Sequence, residues 1–264
     1  MLNIDKYAYM SKLKQSDPMP KLVFTLLTLG VCLWANSILV GLLIVLLMGG
    51  LTVYRGGTPL VVLFKLMLIP FSFLMIGVIT IALNISANRE TFLFALPVFE
   101  TNLGVTLVGL NTASRLFFKA LGAVSCLYFL SLSTPLVDLL LALRRLKVPV
   151  LFLELMGLVY RFIFVLLETA NTMVIAQHSR LGYAGLAAGY RSLGTLAATL
   201  FIRSYKRGEA LYTALEARGY NGELNVLEES FATSWAAYLA PVSLNAIIIL
   251  GTLFFRGQLG GLLF

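Results

Sequence analysis

Residues 148–222, VPVLFLELMGLVYRFIFVLLETANTMVIAQHSRLGYAGLAAGYRSLGTLAATLFIRSYKRGEALYTALEARGYNG, decide the fold, because here a strongly apolar chain stops reading as a run of membrane spans. Two long helices fit the stretch. The first opens at Pro149, whose fixed φ suits a first helical turn, and runs to Ser179-Arg180-Leu181, with Gly182 as its stop. The second opens near Ser192, a good N-cap type, and runs to Ala217-Arg218-Gly219. At about 1.5 Å per residue each is roughly 40 Å long. Both carry more charge than a comfortable span, which places them at the membrane surface. Glu154, Arg161 and Glu168 recur every seven residues and share one stripe of the first helix. Arg203, Lys206 and Arg207 cluster on the second, where Arg207 and Arg218 fall on nearly the same face.

Each helix ends in an arginine with a glycine close behind. A cation in a last turn is favoured by the macrodipole and by open carbonyls, so either arginine alone reads as an ordinary helix end. Together they say more. Arg-Leu-Gly-Tyr at 180–183 and Arg-Gly-Tyr at 218–220 put similar chemistry at the ends of successive helices, as two equivalent partners would require. The connection from Gly182 to Tyr190 is rich in small residues, with Gly185 and Gly189 allowing close backbone approach.

The rest of the chain reads as an anchor. With 59% hydrophobic and 12% charged residues and a mean hydropathy of +0.91, the 264-residue chain is an integral membrane protein. Lys21 to Tyr54 is long enough for a hairpin of two spans turning at Ala35-Asn36-Ser37. Leu60 to Leu83 is a third span, with Lys65 near its end and placed to snorkel. Asn84 to Asn102 is a polar and aromatic connection, read as an interfacial segment. Val105 to Ser133 is a fourth span, whose Arg115 and Lys119 must face protein, water or headgroups. A short helix covers Pro135 to Leu146, and Phe231 to Phe255 is the last span. The polar start predicts no cleavable signal.

The net charge of +8 follows from topology rather than from nucleic-acid binding, for which no aromatic stacking surface is interleaved with the basic residues. With the amino terminus inside, Lys6, Lys12, Lys14, Lys21 and Arg55, and ten more cations from Arg144 to Arg218, fall on the cytoplasmic side. Only Arg89 and Arg256 fall outside. No phosphate-binding glycine loop and no His-Glu-x-x-His occurs, and no cofactor is expected. His178 is the single histidine and reads as a surface or packing residue. Cys32 and Cys126 lie inside apolar runs, which argues against a disulfide framework or a thiolate metal site.

The runs LRRLKVPVLFLELMGLVYRFIFVLLETANTMVIAQHSRLGY (143–183) and FIRSYKRGEALYTALEARGYNGE (201–223) resemble the transmembrane coupling subunit, or T component, of energy-coupling factor (ECF) transporters, within which the CbiQ type of cobalt and nickel uptake systems is most similar. The likeness is specific over about residues 131–223. The family's two X-Arg-X motifs map onto Ser179-Arg180-Leu181 and Ala217-Arg218-Gly219; the first departs from the usual Ala-Arg-Gly but keeps its arginine. The resemblance implies an all-α, polytopic membrane protein with about five transmembrane helices and long cytoplasmic coupling helices, set in the plasma membrane. Its implied organisation is an amino-terminal bundle (1–134), a coupling-helix domain (135–223) and a carboxyl-terminal span (224–264). Implied partners are two ATP-binding subunits at the coupling-helix ends and a CbiM-like substrate-binding membrane subunit, with room for a small accessory membrane subunit. Such a subunit catalyses nothing itself, and another subunit holds the metal. A vitamin as substrate and an ordinary permease that binds its own substrate stay open; an intramembrane enzyme and a scaffold rank below them.

Overall fold

The computed structural model describes residues 3–86, 92–98, 101–220 and 235–258. Helices dominate: α1 (Asn3–Met10), α2 (Pro18–Ala35), α3 (Ile38–Tyr54), α4 (Leu60–Ala82), α5 (Leu107–Ser133), α6 (Leu136–Arg145), α7 (Val150–Ser179), α8 (Leu186–Ala217) and α9 (Ala236–Gln258). The chain divides into two compact units, residues 2–139 with 230–264 and residues 140–229. By length and composition α2, α4, α7 and α9 and most of α5 can each cross a membrane. At 17 residues α3 is shorter, yet within the roughly 17–25 residues a span requires. The inclusion of α7 departs from the sequence reading, which took it as too charged. Its three charges lie seven residues apart, so a stretch of spanning length holds only two.

In the first unit α5 is the central helix, packed against α1, α2, α3 and α4, while α2 also packs against α9. Asp17 caps α2 by accepting the Met19 N–H at 3.0 Å, with Pro18 in the first helical position. The hairpin turn falls where the sequence put it, with Asn36 in the left-handed region at φ 46°. The core joins Phe24 and Cys32 of α2, Ile44 and Met48 of α3, and Cys126 and Phe129 of α5; the Phe24 and Phe129 rings meet edge to face at 5.6 Å. Both cysteines are free and buried. At the crossing of α3 and α5 a side chain at Gly41 would come within 2.7 Å of the Phe118 backbone, so only glycine allows this approach.

Several buried polar groups of the bundle find hydrogen-bond partners, while Asn245 Oδ1 of α9 has none among the described residues. The hydroxyls of Thr25, Thr28 and Thr52 each donate to the carbonyl four residues earlier. Pro70 lies inside α4 and lacks the N–H that would bond the Leu66 carbonyl; the Tyr128 hydroxyl of α5 donates to that carbonyl at 3.0 Å instead. Lys21, read from sequence as a cytoplasmic cation, is buried in the first turn of α2, donating to the Leu13 carbonyl at 2.9 Å beside Asp17 and Asp138. A buried lysine is tolerated there because two carboxylates and a carbonyl replace its water. Lys65, by contrast, is exposed near the start of α4 as expected.

In the connection after α4 the described residues form strands. Strands β1 (Leu83–Ser86), β2 (Phe92–Val98) and β3 (Thr101–Thr106) form an antiparallel sheet in the order β1-β3-β2, with Ile85 opposite Leu103 and Leu96 opposite Leu103 on the other side. The sequence reading took 84–102 as an interfacial segment and did not foresee strands. Its aromatic and threonine content suits a sheet, and Pro97 is tolerated because β2 is an edge strand. This small sheet leaves the class all-α, since every spanning or core element is a helix.

The substitution Tyr128→Phe should strip the Leu66 carbonyl of the donor that α5 supplies and destabilise the protein by about 1–3 kcal/mol. Combining it with Pro70→Ala, which restores the backbone N–H, should cancel most of that loss in a double-mutant cycle of thermal unfolding in detergent.

Candidate coupling site

The two X-Arg-X triplets occupy equivalent positions at the ends of α7 and α8. Ser179 and Ala217 are the last helical residues, Arg180 and Arg218 are the C-caps, and Leu181 and Gly219 follow in the left-handed region at φ 57° and 75°. The hydrogen bonds match as well. After α7, Gly182 N–H reaches the Gln177 carbonyl at 2.8 Å and Leu181 N–H reaches His178 at 3.0 Å; after α8, Tyr220 N–H reaches Leu215 at 3.0 Å and Gly219 N–H reaches Glu216 at 3.0 Å. Both are Schellman motifs, which satisfy the carbonyls a helix end leaves open. With those carbonyls occupied by the backbone, neither guanidinium is needed as a cap. Arg180 and Arg218 are exposed, as are their neighbours Ser179, Leu181, Ala217 and Gly219.

Two details differ from the sequence reading. Leu181, not Gly182, adopts the left-handed conformation that stops α7. Gly182 is required one residue later for close approach, because a Cβ there would meet the Ser192 hydroxyl at 2.7 Å. Ser192 is correspondingly not an N-cap: α8 opens at Leu186 after Gly185, and the Ser192 hydroxyl donates to the Gly182 carbonyl at 2.8 Å. Gln177 completes the clamp, donating from Nε2 to the Ser192 carbonyl at 3.0 Å and accepting from the Tyr183 hydroxyl at 2.7 Å. The close approach expected at Gly185 and Gly189 is absent; nothing lies near Gly185, and Gly189 has only an ordinary contact with Tyr183. His178 stacks on Tyr183 at 4.6 Å, a packing role. Among the described residues no cluster of His, Cys, Asp or Glu could hold a metal ion.

The clamp holds the end of α7 against the second turn of α8, so the two arginines are separated by most of α8. From Ser192 to Ala217 that is roughly 40 Å at about 1.5 Å per residue. The triplets are therefore not brought together. Helix α8 itself has no buried residue. Tyr190, Leu193, Phe201, Tyr205 and Tyr212, all more than half exposed, recur at helical spacing on roughly a third of its circumference. Arg203 and Lys206 lie on the side away from the stripe, whereas Arg207 and Arg218 fall beside its Leu193 edge. The sequence reading noticed the basic cluster and missed the aromatic stripe, which the 3, 4 and 7 spacing of its residues could have revealed.

A family model described as cobalt transport protein, CbiQ, matches residues 10–228. The chain belongs to the CbiQ cobalt transport protein family. It is similar to the cobalt transport protein CbiQ of Salmonella typhimurium, 38% identical over 160 residues that cover 61% of this chain and 71% of that protein. The putative fused cobalt transport protein CbiMQ of Methanocorpusculum labreanum is 30% identical over 191 residues, 72% of this chain and 31% of that longer protein. The energy-coupling factor transporter transmembrane protein EcfT of Streptococcus equi is 30% identical over 223 residues, 78% of each chain. As a member of the CbiQ family the chain is a transport component, and its apolar helices make it a multi-pass membrane protein.

A non-glycine residue in the left-handed region costs about 1–2 kcal/mol. Leu181→Gly should therefore stabilise the end of α7, and Gly219→Leu should destabilise the end of α8, by about 1 kcal/mol each. Amide hydrogen exchange of residues 178–182 and 216–220 measures both directly.

Proposed function

We propose that this chain is the energy-coupling T component of an ECF-type importer for cobalt or nickel, passing motion from two ATPase subunits to a substrate-binding membrane subunit. The observation that carries the reading is the duplicated helix end: the same exposed arginine, in the same Schellman motif, closes α7 and α8. Ser179, Arg180 and Leu181 form one contact and Ala217, Arg218 and Gly219 the other, each guanidinium gripping carboxylates or carbonyls of one ATPase. A domain of 100 residues has a radius of gyration of about 13 Å, so contacts roughly 40 Å apart along α8 suit two partners better than one. Rigid helices with satisfied ends would carry a relative displacement of the ATPases without bending.

Cobalt or nickel as cargo is supported by the names of the CbiQ and fused CbiMQ relatives, and the fusion supports a CbiM-like membrane partner. Charge supports a cytoplasmic placement of 135–223. Were α7 to cross the membrane, Arg180, Arg191, Arg203, Lys206, Arg207 and Arg218 would all follow on the outer side, against the positive-inside rule. The membrane would then be crossed by α2, α3, α4, α5 and α9, with the amino-terminal bundle (1–134) and last span (224–264) as the anchor in the plasma membrane.

Charge reversal tests the assignment. Losing one partner of a buried charge pair costs on the order of 2–5 kcal/mol. Arg180→Glu or Arg218→Glu should thus weaken retention of an ATPase subunit at least tenfold and reduce ATP-dependent metal uptake in proteoliposomes, and the double substitution should abolish uptake. Retained ATP-dependent uptake by the double variant would refute the proposal.

A further inference from the structure

Helix α5 carries two cations, Arg115 and Lys119, one turn apart in a segment apolar enough to span a membrane, and the transport role gives neither of them a task. Both are half-buried. Their depth is fixed by contacts with α2. The Lys119 ammonium lies 3.5 Å from Oδ1 of Asn36 in the α2–α3 turn, and the Cys32 thiol approaches the Lys119 carbonyl at 3.5 Å. Lys119 is therefore level with the end of the α2–α3 hairpin. That hairpin is short: α2 and α3 have 18 and 17 residues, while α4 and α5 have 23 and 27. From Lys119 back to its first residue, α5 rises roughly 18 Å past the turn. The structure thus has a ledge, with the hairpin as its step and α5 as its wall. Trp34, 54% exposed in the last turn of α2, marks the same level as a membrane interface.

At this ledge the donors outnumber the acceptors. Arg115 uses Nε to reach Asn111 Oδ1 at 3.1 Å, which leaves the other four of its five N–H groups. Among the described residues the Lys119 side chain has its long contact to Asn36 and no other hydrogen bond. Among the described residues no carboxylate pairs with either side chain. Two cations on adjacent turns repel one another, and an anion with several acceptor oxygens would relieve that repulsion. Phe117, between them along α5 but on the opposite face, packs on Phe71 of α4 at 5.4 Å, so the two cations and the α4 contact use different sides of the helix.

We propose that Arg115 and Lys119, framed by Asn36 and Asn111, bind the phosphate of an anionic phospholipid at the ledge, in the leaflet faced by the α2–α3 turn. The arginine fork and the lysine ammonium together neutralise one phosphodiester, which explains how a spanning helix keeps both charges. Bound lipid fills the step between the short and the long helix pairs and fixes the depth of the hairpin in the bilayer.

The test uses the full chain in nanodiscs of phosphatidylcholine with increasing phosphatidylglycerol, counting retained lipid by native mass spectrometry and recording thermal unfolding. The wild type should retain phosphatidylglycerol selectively and be stabilised by it. Arg115→Gln and Lys119→Gln should each weaken retention several-fold and together by at least tenfold, with unfolding in pure phosphatidylcholine unchanged. The exchanged pair Arg115→Lys with Lys119→Arg should keep retention, as should Lys6→Gln at an exposed site elsewhere. Equal retention by the wild type and the double variant would overturn the proposal. Displacement of the lipid by millimolar inorganic phosphate would overturn the lipid assignment in favour of a free-anion site.

Discussion

A helix carbonyl without a donor is tolerable in water and costly in hydrocarbon, and the structure depends on how this protein meets that constraint in both settings. Inside the bundle the break made by Pro70 is closed from the neighbouring helix by Tyr128, and the threonine hydroxyls return to their own backbone. At the ends of α7 and α8 the chain turns back on itself, and Schellman bonds take up the last carbonyls. The consequence differs between the two places. In the bundle, satisfaction gives packing. At the ends of α7 and α8 it leaves two exposed arginines that are not needed as caps.

Those exposed ends give the helix pair the mechanical character proposed for it. Helix α8 buries none of its residues and shows an aromatic stripe, with Arg203 and Lys206 on the side away from it. The clamp of Gln177, Tyr183, Ser192 and Gly182 fixes the joint between α7 and α8 through three hydrogen bonds under 3.1 Å. In the proposed function, a helix pair held firmly at its joint and open along one arm would move as a lever. The ATPases would act on its ends, and the arm lies between them.

Much of this was legible in the sequence. The hairpin turn at Asn36, the helices with arginines at their ends and the class of membrane protein follow from hydropathy, glycine placement and charge. What escaped was set by contacts between residues distant in sequence or by local geometry with more than one solution. Leu181 takes a conformation that glycine would normally occupy, because the neighbouring Gly182 is needed for space against Ser192. Ser192 looks like an N-cap and instead bonds across the joint. The central place of α5 depends on Gly41 meeting the Phe118 backbone, a contact that no helical period records. The strands between α4 and α5 sit in a segment whose aromatic residues suit an interface as well as a sheet. By apolarity α7 is one of the candidate spans, and the proposed cytoplasmic placement rests on the distribution of arginines beyond it.

The central claim is that each arginine-capped helix end holds its own ATPase. A photoreactive residue at position 179, at position 217, or at both, in the full chain in its native membrane, tests it most directly. Each single label should capture one nucleotide-binding subunit, and the double label should give an adduct carrying two copies. Failure of either end to capture an ATPase, or a double-label adduct that never exceeds one copy, would contradict the account.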